Sequence, residues 1–166
     1  MTFKLRVFAV LTALCAALVA PAFAQQAEIA FGGLAQDTTL PVETKAETFS
    51  INSADGTAIF SGNVLVAQGN LRLSAAQVRV EYDQDGKGIA RLHASGGVTV
   101  ANASDAAEAR EAVYTIADGA IVMTGDVLLT QGNTALSGAK LTIQLKNGTG
   151  RMEGGVSTVF VPSKKN

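Results

Sequence analysis

From Val42 onward, apolar and polar side chains alternate with a period of two in one run after another. Phe49 and Ile51 fall on one side of the chain. Val64 and Val66 share a side, as do Leu71 and Leu73 with Arg72 opposite. Val78, Val80 and Tyr82 oppose Arg79 and Glu81, and Leu141, Ile143 and Leu145 oppose Thr142 and Gln144. Period two with polar residues on the reverse face predicts half-buried antiparallel strands. A strand length near 5–6 residues divides the run into about 12–16 strands. The last is predicted over 156–161, where Pro162 stops it. Segment 101–113 (ANASDAAEAREAV) departs from the pattern. Its apolar residues are mostly alanine and it holds helix formers, so it reads as a loop and a weak strand, with a short helix as the alternative.

Two short signals punctuate these runs in strict alternation. One is an acidic or amide residue before glycine: Asp55-Gly56, Asp85-Gly86, Asp118-Gly119 and Asn147-Gly148. The other is Gly-x-Val, beginning at Gly62, Gly96, Gly125 and Gly154, and separated from the first by 7, 11, 7 and 7 residues. Asp-Gly and Asn-Gly are hairpin signals that suit a type I′ turn, and Gly-x-Val reads as the lead-in to a strand. Two stretches are closely related: 61–80 (SGNVLVAQGNLRLSAAQVRV) and 124–143 (TGDVLLTQGNTALSGAKLTI) are identical at 9 of 20 positions. The chain therefore reads as one β unit used about four times, its copies stacking to bury a shared core. A sandwich, a jelly roll and a β solenoid all satisfy this pattern. The inner face of Val, Leu, Ile and Ala, with Phe60, Tyr114, Met123 and Phe160, is either a packed core or a greasy groove.

Composition narrows the chemistry. Residues 1–24 carry Lys4 and Arg6, an apolar run from Val7 to Val19 and the small-x-small site Ala22-Phe23-Ala24. These are the marks of a cleavable signal peptide, and the run is too short to span a membrane. They hold two of the 13 Lys and Arg residues, none of the 14 Asp and Glu residues and the lone cysteine, Cys15. The remainder has a net charge of −3, no basic stripe for nucleic acid and no thiol for a disulfide or metal. Residues 25–41 read as a polar, flexible leader, 42–162 as the domain and 163–166 as a solvated tail. His93 is the single histidine and is expected on the outward face, so neither a zinc ligand set nor a Ser/His/Asp triad can be assembled. The glycines lack the strand-to-helix setting of a phosphate loop. The turn aspartates lack the acidic neighbours that calcium needs. No cofactor, metal or catalytic residue is expected.

The run from Phe60 to Asn70 (FSGNVLVAQGN), with 73–78 (LSAAQV) and the ending 156–163 (VSTVFVPS), resembles the LptA, or OstA-like, family of periplasmic lipopolysaccharide-transport proteins of Gram-negative bacteria. The resemblance covers about 42–163 and is weakest over 101–113. It implies an all-β fold, an elongated antiparallel jelly roll open at both ends. It implies a periplasmic bridge that carries lipopolysaccharide from the inner to the outer membrane. The acyl chains would lie in the apolar interior while copies stack head to tail. The implied partners are lipopolysaccharide, a second copy of the chain, and OstA-like proteins anchored in the inner membrane and set in the outer membrane. By position, the candidate lipid-lining residues are Phe49, Ile51, Phe60, Val64, Val66, Leu71, Leu73, Val78, Val80, Met123, Val127, Leu129, Leu141 and Ile143. The candidate docking residues are Val42, Thr44, Val156, Thr158 and Phe160. The alternative is a non-catalytic β-solenoid scaffold or surface protein with a solid core.

Overall fold

The computed structural model describes residues 27–30, 35–52, 54 and 56–162. The predicted signal peptide and residues 163–166 lie outside them. The described residues form eleven antiparallel strands and no helix: β1 (Ala27–Ala30), β2 (Glu43–Lys45), β3 (Thr48–Asn52), β4 (Thr57–Gln68), β5 (Leu71–Tyr82), β6 (Ile89–Ala101), β7 (Asp105–Thr115), β8 (Ala120–Gln131), β9 (Thr134–Gln144), β10 (Thr149–Glu153) and β11 (Ser157–Phe160). The strands are fewer than the expected 12–16 because β4 to β9 are 11–13 residues long. They form one sheet in the order β1-β10-β9-β8-β7-β6-β5-β4-β2, with β3 also on β4 and β11 also on β9. From β4 to β10 each strand pairs with its neighbour in sequence, an up-and-down meander.

The strands are long because Gly-x-Val is not a strand start. It is a bulge within a strand. Pairing slips at 62–63 in β4, at 96–97 in β6 and at 125–126 in β8, each time by one extra residue. Gly154-Gly155 breaks the corresponding path between β10 and β11. Both residues of every pair have positive φ, which explains the second position: Asn63 (45°), Gly97 (85°), Asp126 (51°) and Gly155 (70°). Only Gly, Asn and Asp occupy that region readily. A bulge bends its strand and increases the local twist. Aligned on alternate strands, β4, β6 and β8, these bulges crease the whole sheet, and β5, β7 and β9 cross the line without one.

The crease divides the sheet into two leaves. The first holds the half-strands nearest the Asp-Gly turns, and the second holds the half-strands nearest Gly69 and Gly132. Their inner faces form a single apolar cluster in which Val78, Leu92, Ile121, Met123, Leu129, Leu141 and Ile143 are all under 2% exposed. Each fully buried aliphatic side chain contributes about 1.5–3 kcal/mol. The crease also accounts for an identity between the two related stretches. A Cβ built on Gly96 would lie 2.6 Å from the Cβ of Ala76, and one built on Gly154 would lie 2.6 Å from the Cβ of Ala139. Ala76 and Ala139 are equivalent in the alignment, each packed against a crease glycine.

The hairpins differ from type I′. In the Asp85-Gly86, Asp118-Gly119 and Asn147-Gly148 turns only the glycine has positive φ, as at Gly119 (66°) and Gly148 (64°). The loops are longer than two residues, so Gly148 N–H donates to Gln144 C=O at 2.9 Å. At the other end, Gly69 (55°) and Gly132 (52°) open two-residue turns with Asn70 and Asn133. Positive φ at the first central residue alone is the type II′ arrangement. Segment 101–113 follows the first of its two readings, a loop and then a strand, and not the helical alternative. Asn102 caps a tight turn, its Oδ1 accepting from the N–H groups of Ser104 and Asp105 at 2.8 Å, and β7 follows as a full strand. Ladder pairing to β6 and β8 on both sides overrides the helix propensity of its alanines. Ala107, Ala109 and Ala112 face inward.

Part of the predicted leader belongs to this structure. β1 pairs with β10 at one edge of the sheet and β2 with β4 at the other. Residues 35–42, before β2, lie across the leaf tips. Gln36 N–H donates to Leu145 C=O at 3.0 Å, while its Oε1 accepts from Leu71 N–H at 3.2 Å. Gln68, only 2% exposed, donates from Nε2 to Thr38 C=O and Leu40 C=O, both at 2.9 Å. The Tyr114 hydroxyl donates to Gln68 Oε1 at 2.5 Å. Gln68 and Leu71 belong to the second leaf, Tyr114 to the first, and Leu145 follows β9 at the first-leaf end. Burial pushes the Tyr114 phenol from 10.0 up to about 12, so it remains a neutral donor through neutral and mildly alkaline pH.

Two outcomes follow from this architecture. Gly96→Ala combines left-handed strain of about 1–2 kcal/mol with overpacking of about 1–3 kcal/mol. Gly86→Ala, with nothing within 4 Å of its Cβ position, incurs only the strain, so urea unfolding will show Gly96→Ala as the more damaging change. For Tyr114 the fold favours the neutral form. Its contribution to stability is complete below pH 10.0 and is lost as pH rises toward about 12. An ultraviolet tyrosinate titration will show a step near pH 12 that Tyr114→Phe removes.

Candidate functional site

No constellation of polar side chains stands out as a chemical centre. Among the described residues no group of three or more His, Cys, Asp or Glu is placed to hold a metal. His93 lies on the outer face of the first leaf, as expected, with Nε2 3.1 Å from Glu81 Oε1. Arg79 and Arg91 approach the same carboxylate at 3.0 and 3.7 Å. Burial pushes the Glu81 carboxyl up. The His93 hydrogen bond and the charges of His93, Arg79 and Arg91 outweigh that and hold it below its ordinary value. This is a solvated ion-pair cluster, as is the Lys140–Glu153 contact at 3.6 Å farther along the same face, and exposed pairs of this kind contribute little.

The distinctive surface is the inner one. Of the candidate lining residues, Val64, Val66, Leu71, Leu73, Val78, Val80, Met123, Val127, Leu129, Leu141 and Ile143 are all buried on the inner face. Phe60 is half-buried against them. Phe49 and Ile51 are different. Register places Phe49 opposite Phe60 and Ile51 opposite Ala58, so both belong to the inner side. They remain 54% and 64% exposed, because β3 pairs only with β4 and no described strand lies beyond it. The Phe49 and Phe60 rings are 4.8 Å apart. The apolar lining thus runs from fully buried Val78 through half-buried Phe60 to open Phe49.

The opposite edge repeats this in the second leaf. Thr158 pairs with inner-facing Leu136, and Phe160, two residues on, points to the same side and is 65% exposed. Of the candidate docking residues, Val42 and Val156 are half-buried against the core. Thr44, opposite Val66, is half-buried, and Thr158 and Phe160 are exposed on β11. The two sheet edges expected to dock partners are therefore also where the apolar lining reaches solvent. Sequence reasoning missed the polar link between the leaf tips. Gln68 belongs to the same Gln-Gly-Asn motif as Gln131, and nothing local marks only the first as buried.

Comparison with known proteins agrees with this geometry. The family model described as LptA/(LptD N-terminal domain) LPS transport protein matches residues 43–149. An uncharacterized protein of Rhizobium meliloti (strain 1021) is 25% identical over 160 residues, covering 91% of this chain and 86% of that protein. The crystal structure of LptH, the LptA-homologous periplasmic component of the lipopolysaccharide transport device from Pseudomonas aeruginosa, superposes with a TM-score of 0.67 at 16% identity. It covers 76% of this chain and 99% of that one, and so shares the fold. With the family model spanning well over half of its length, this creased, all-antiparallel chain belongs to the LptA/LptD N-terminal domain family of lipopolysaccharide-transport proteins.

Proposed function

We propose that the protein is a periplasmic bridge component that binds lipopolysaccharide and passes it from the inner toward the outer membrane. The observation that carries this reading is the continuity of the inner face. A largely apolar lining extends beyond its own closed core to Phe49 and Ile51 at one edge and to Phe160 at the other. A packed core has no need of large apolar side chains at its rims, whereas a conduit for acyl chains does. Each buried CH₂ of an acyl chain contributes about 0.8 kcal/mol, and no catalytic group or nucleotide is required. The sugar portion stays in water, beside the charged outer surface.

Head-to-tail stacking is the second part of the proposal. β3 and β11 each present an unpaired edge among the described residues, and an exposed edge pairs readily with a strand of another chain. Joining the β11 edge of one copy to the β3 edge of the next would cover Phe160, Phe49 and Ile51 together and align the two interiors. Such a contact is heterologous and propagates rather than closes. OstA-like partners with the same edges would terminate the array at either membrane. The second reading, a scaffold with a solid interior, draws on the completeness of packing around Ile121, Met123, Leu141 and Ile143, each 0% exposed.

Photo-crosslinking separates the two readings. A probe residue at Phe60 or Val66 will capture purified lipopolysaccharide, and one at outward-facing Arg79 will not; equal labelling at all three positions, or none in a folded protein, supports the scaffold. For stacking, Phe160→Glu will weaken concentration-dependent self-association about ten- to hundredfold, the equivalent of losing one buried aromatic side chain. Circular dichroism will remain unchanged, because β11 lies at an edge. Undiminished association would remove Phe160 from the contact.

A further inference from the structure

The interior just assigned to lipid is closed at the leaf tips, and what closes it is polar. Residues 35–42 lie where the second-leaf turn at Gly69 approaches the first-leaf turns at Gly119 and Leu145. Ideal Cβ positions on Gly69 and Gly119 fall 2.9 Å from Leu40 Cδ1 and 3.0 Å from Thr38 Cγ2, so the segment is seated against both turns. Its attachment is almost entirely by hydrogen bonds. Gln36 joins Leu145 to Leu71, and the Gln68 amide, held by Tyr114, binds the carbonyls of Thr38 and Leu40. Leu40 is 41% exposed, and only Val42 of this segment packs against the core. The Asp37 carboxylate accepts from the Thr39 N–H and hydroxyl, which fixes the local turn and adds no apolar anchor.

Gln68 is the informative residue. A leucine there would fill the core, yet the chain places an amide among apolar neighbours and uses both its N–H groups and its carbonyl on the segment and on Tyr114. Hydrogen bonds exchange for water at modest net cost, whereas a buried apolar anchor does not. The arrangement holds the tips closed specifically and releases them easily. The crease supplies the hinge, for at Gly96-Gly97 and Gly154-Gly155 both residues are glycine.

We propose that residues 35–42 are a clasp, with Gln68 and Tyr114 as its catch. Its release lets the two leaves separate about the crease and admits the acyl chains of an amphipathic lipid from the side. This rests on the lipid reading above and adds an entry route to it. The catch residues act by positioning the clasp, and they need not touch the lipid.

The test is a reversible lock. The chain after residue 24 has no cysteine, so Thr38→Cys with Gly119→Cys creates a unique pair spanning clasp and first leaf, close enough to bridge. Capture of purified lipopolysaccharide is timed for the oxidised and reduced forms of this one protein, with the strain of a side chain at Gly119 common to both. At least tenfold slower capture when oxidised, restored by reductant, is the expected result. Equal rates with the disulfide verified by mass overturn the clasp and leave the lipid reading standing. Failure of the unaltered chain to capture lipopolysaccharide overturns the lipid reading, and the clasp with it. A second measurement needs no substitution: amide exchange at Gln36 and Leu71 will accelerate about tenfold or more on lipid loading. Unchanged protection in a lipid-loaded protein rejects the proposal even if the disulfide does not form.

Discussion

Everything in this structure depends on pairs of residues held at positive φ in the middle of long strands. Without the bulges, a meander of strands 11–13 residues long would be an open, twisted ribbon with one greasy face exposed to water. With the bulges aligned, the ribbon folds along a line perpendicular to its strands and buries that face against itself. The fold solves by geometry what a sandwich of two separate sheets solves by topology. One continuous sheet supplies both walls, joined by covalent chain at every crossing of the crease. The price is a fixed pair of residue types on every second strand, which is why glycine followed by Gly, Asn or Asp recurs where ordinary strands would carry β-branched residues.

That recurrence was legible in the sequence, but its meaning was not. Gly-x-Val stands between two alternating runs whether it starts a strand or bends one. The difference lies in whether the neighbouring strand continues past it, and that is a property of the sheet rather than of the segment. The inner face was easier to read, because period two fixes which side chains share a surface without any knowledge of partners. Val64 through Val80 and Met123 through Ile143 were therefore placed correctly. The same rule put Phe49 and Ile51 on that surface but could not reveal that β3 is an edge strand, where inward-facing side chains lack a cover. Segment 101–113 was read as a loop and only a weak strand, with a helix left open, for a related reason: alanine is a strong helix former alone and a serviceable inner residue between two established strands.

The polar link at the leaf tips was the least legible feature. Gln68 and Gln131 occupy the same motif and the same turn, and only long-range packing sets Gln68 against Tyr114 and the segment ahead of β2. An amide buried in an aliphatic interior is a local conflict with the pattern around it, and such conflicts mark places where a chain trades stability for something else. Here the conflict and the exposed rim aromatics point the same way, toward an interior that is complete in isolation yet arranged to receive more.

The meander has a further consequence, for the order in which the molecule assembles. From β4 to β10, every ladder joins strands adjacent in the chain, so each hairpin closes a short loop, and the sheet can grow one strand at a time at low entropic cost. The contacts at the leaf tips are exceptions, as is the β1–β10 ladder: Tyr114 and Gln68 are 46 residues apart, and Gln36 and Leu145 lie near opposite ends of the chain. These long loops are worth closing only once the creased sheet has brought their ends together. The last event of folding and the first of opening are then the same contacts, read in opposite directions.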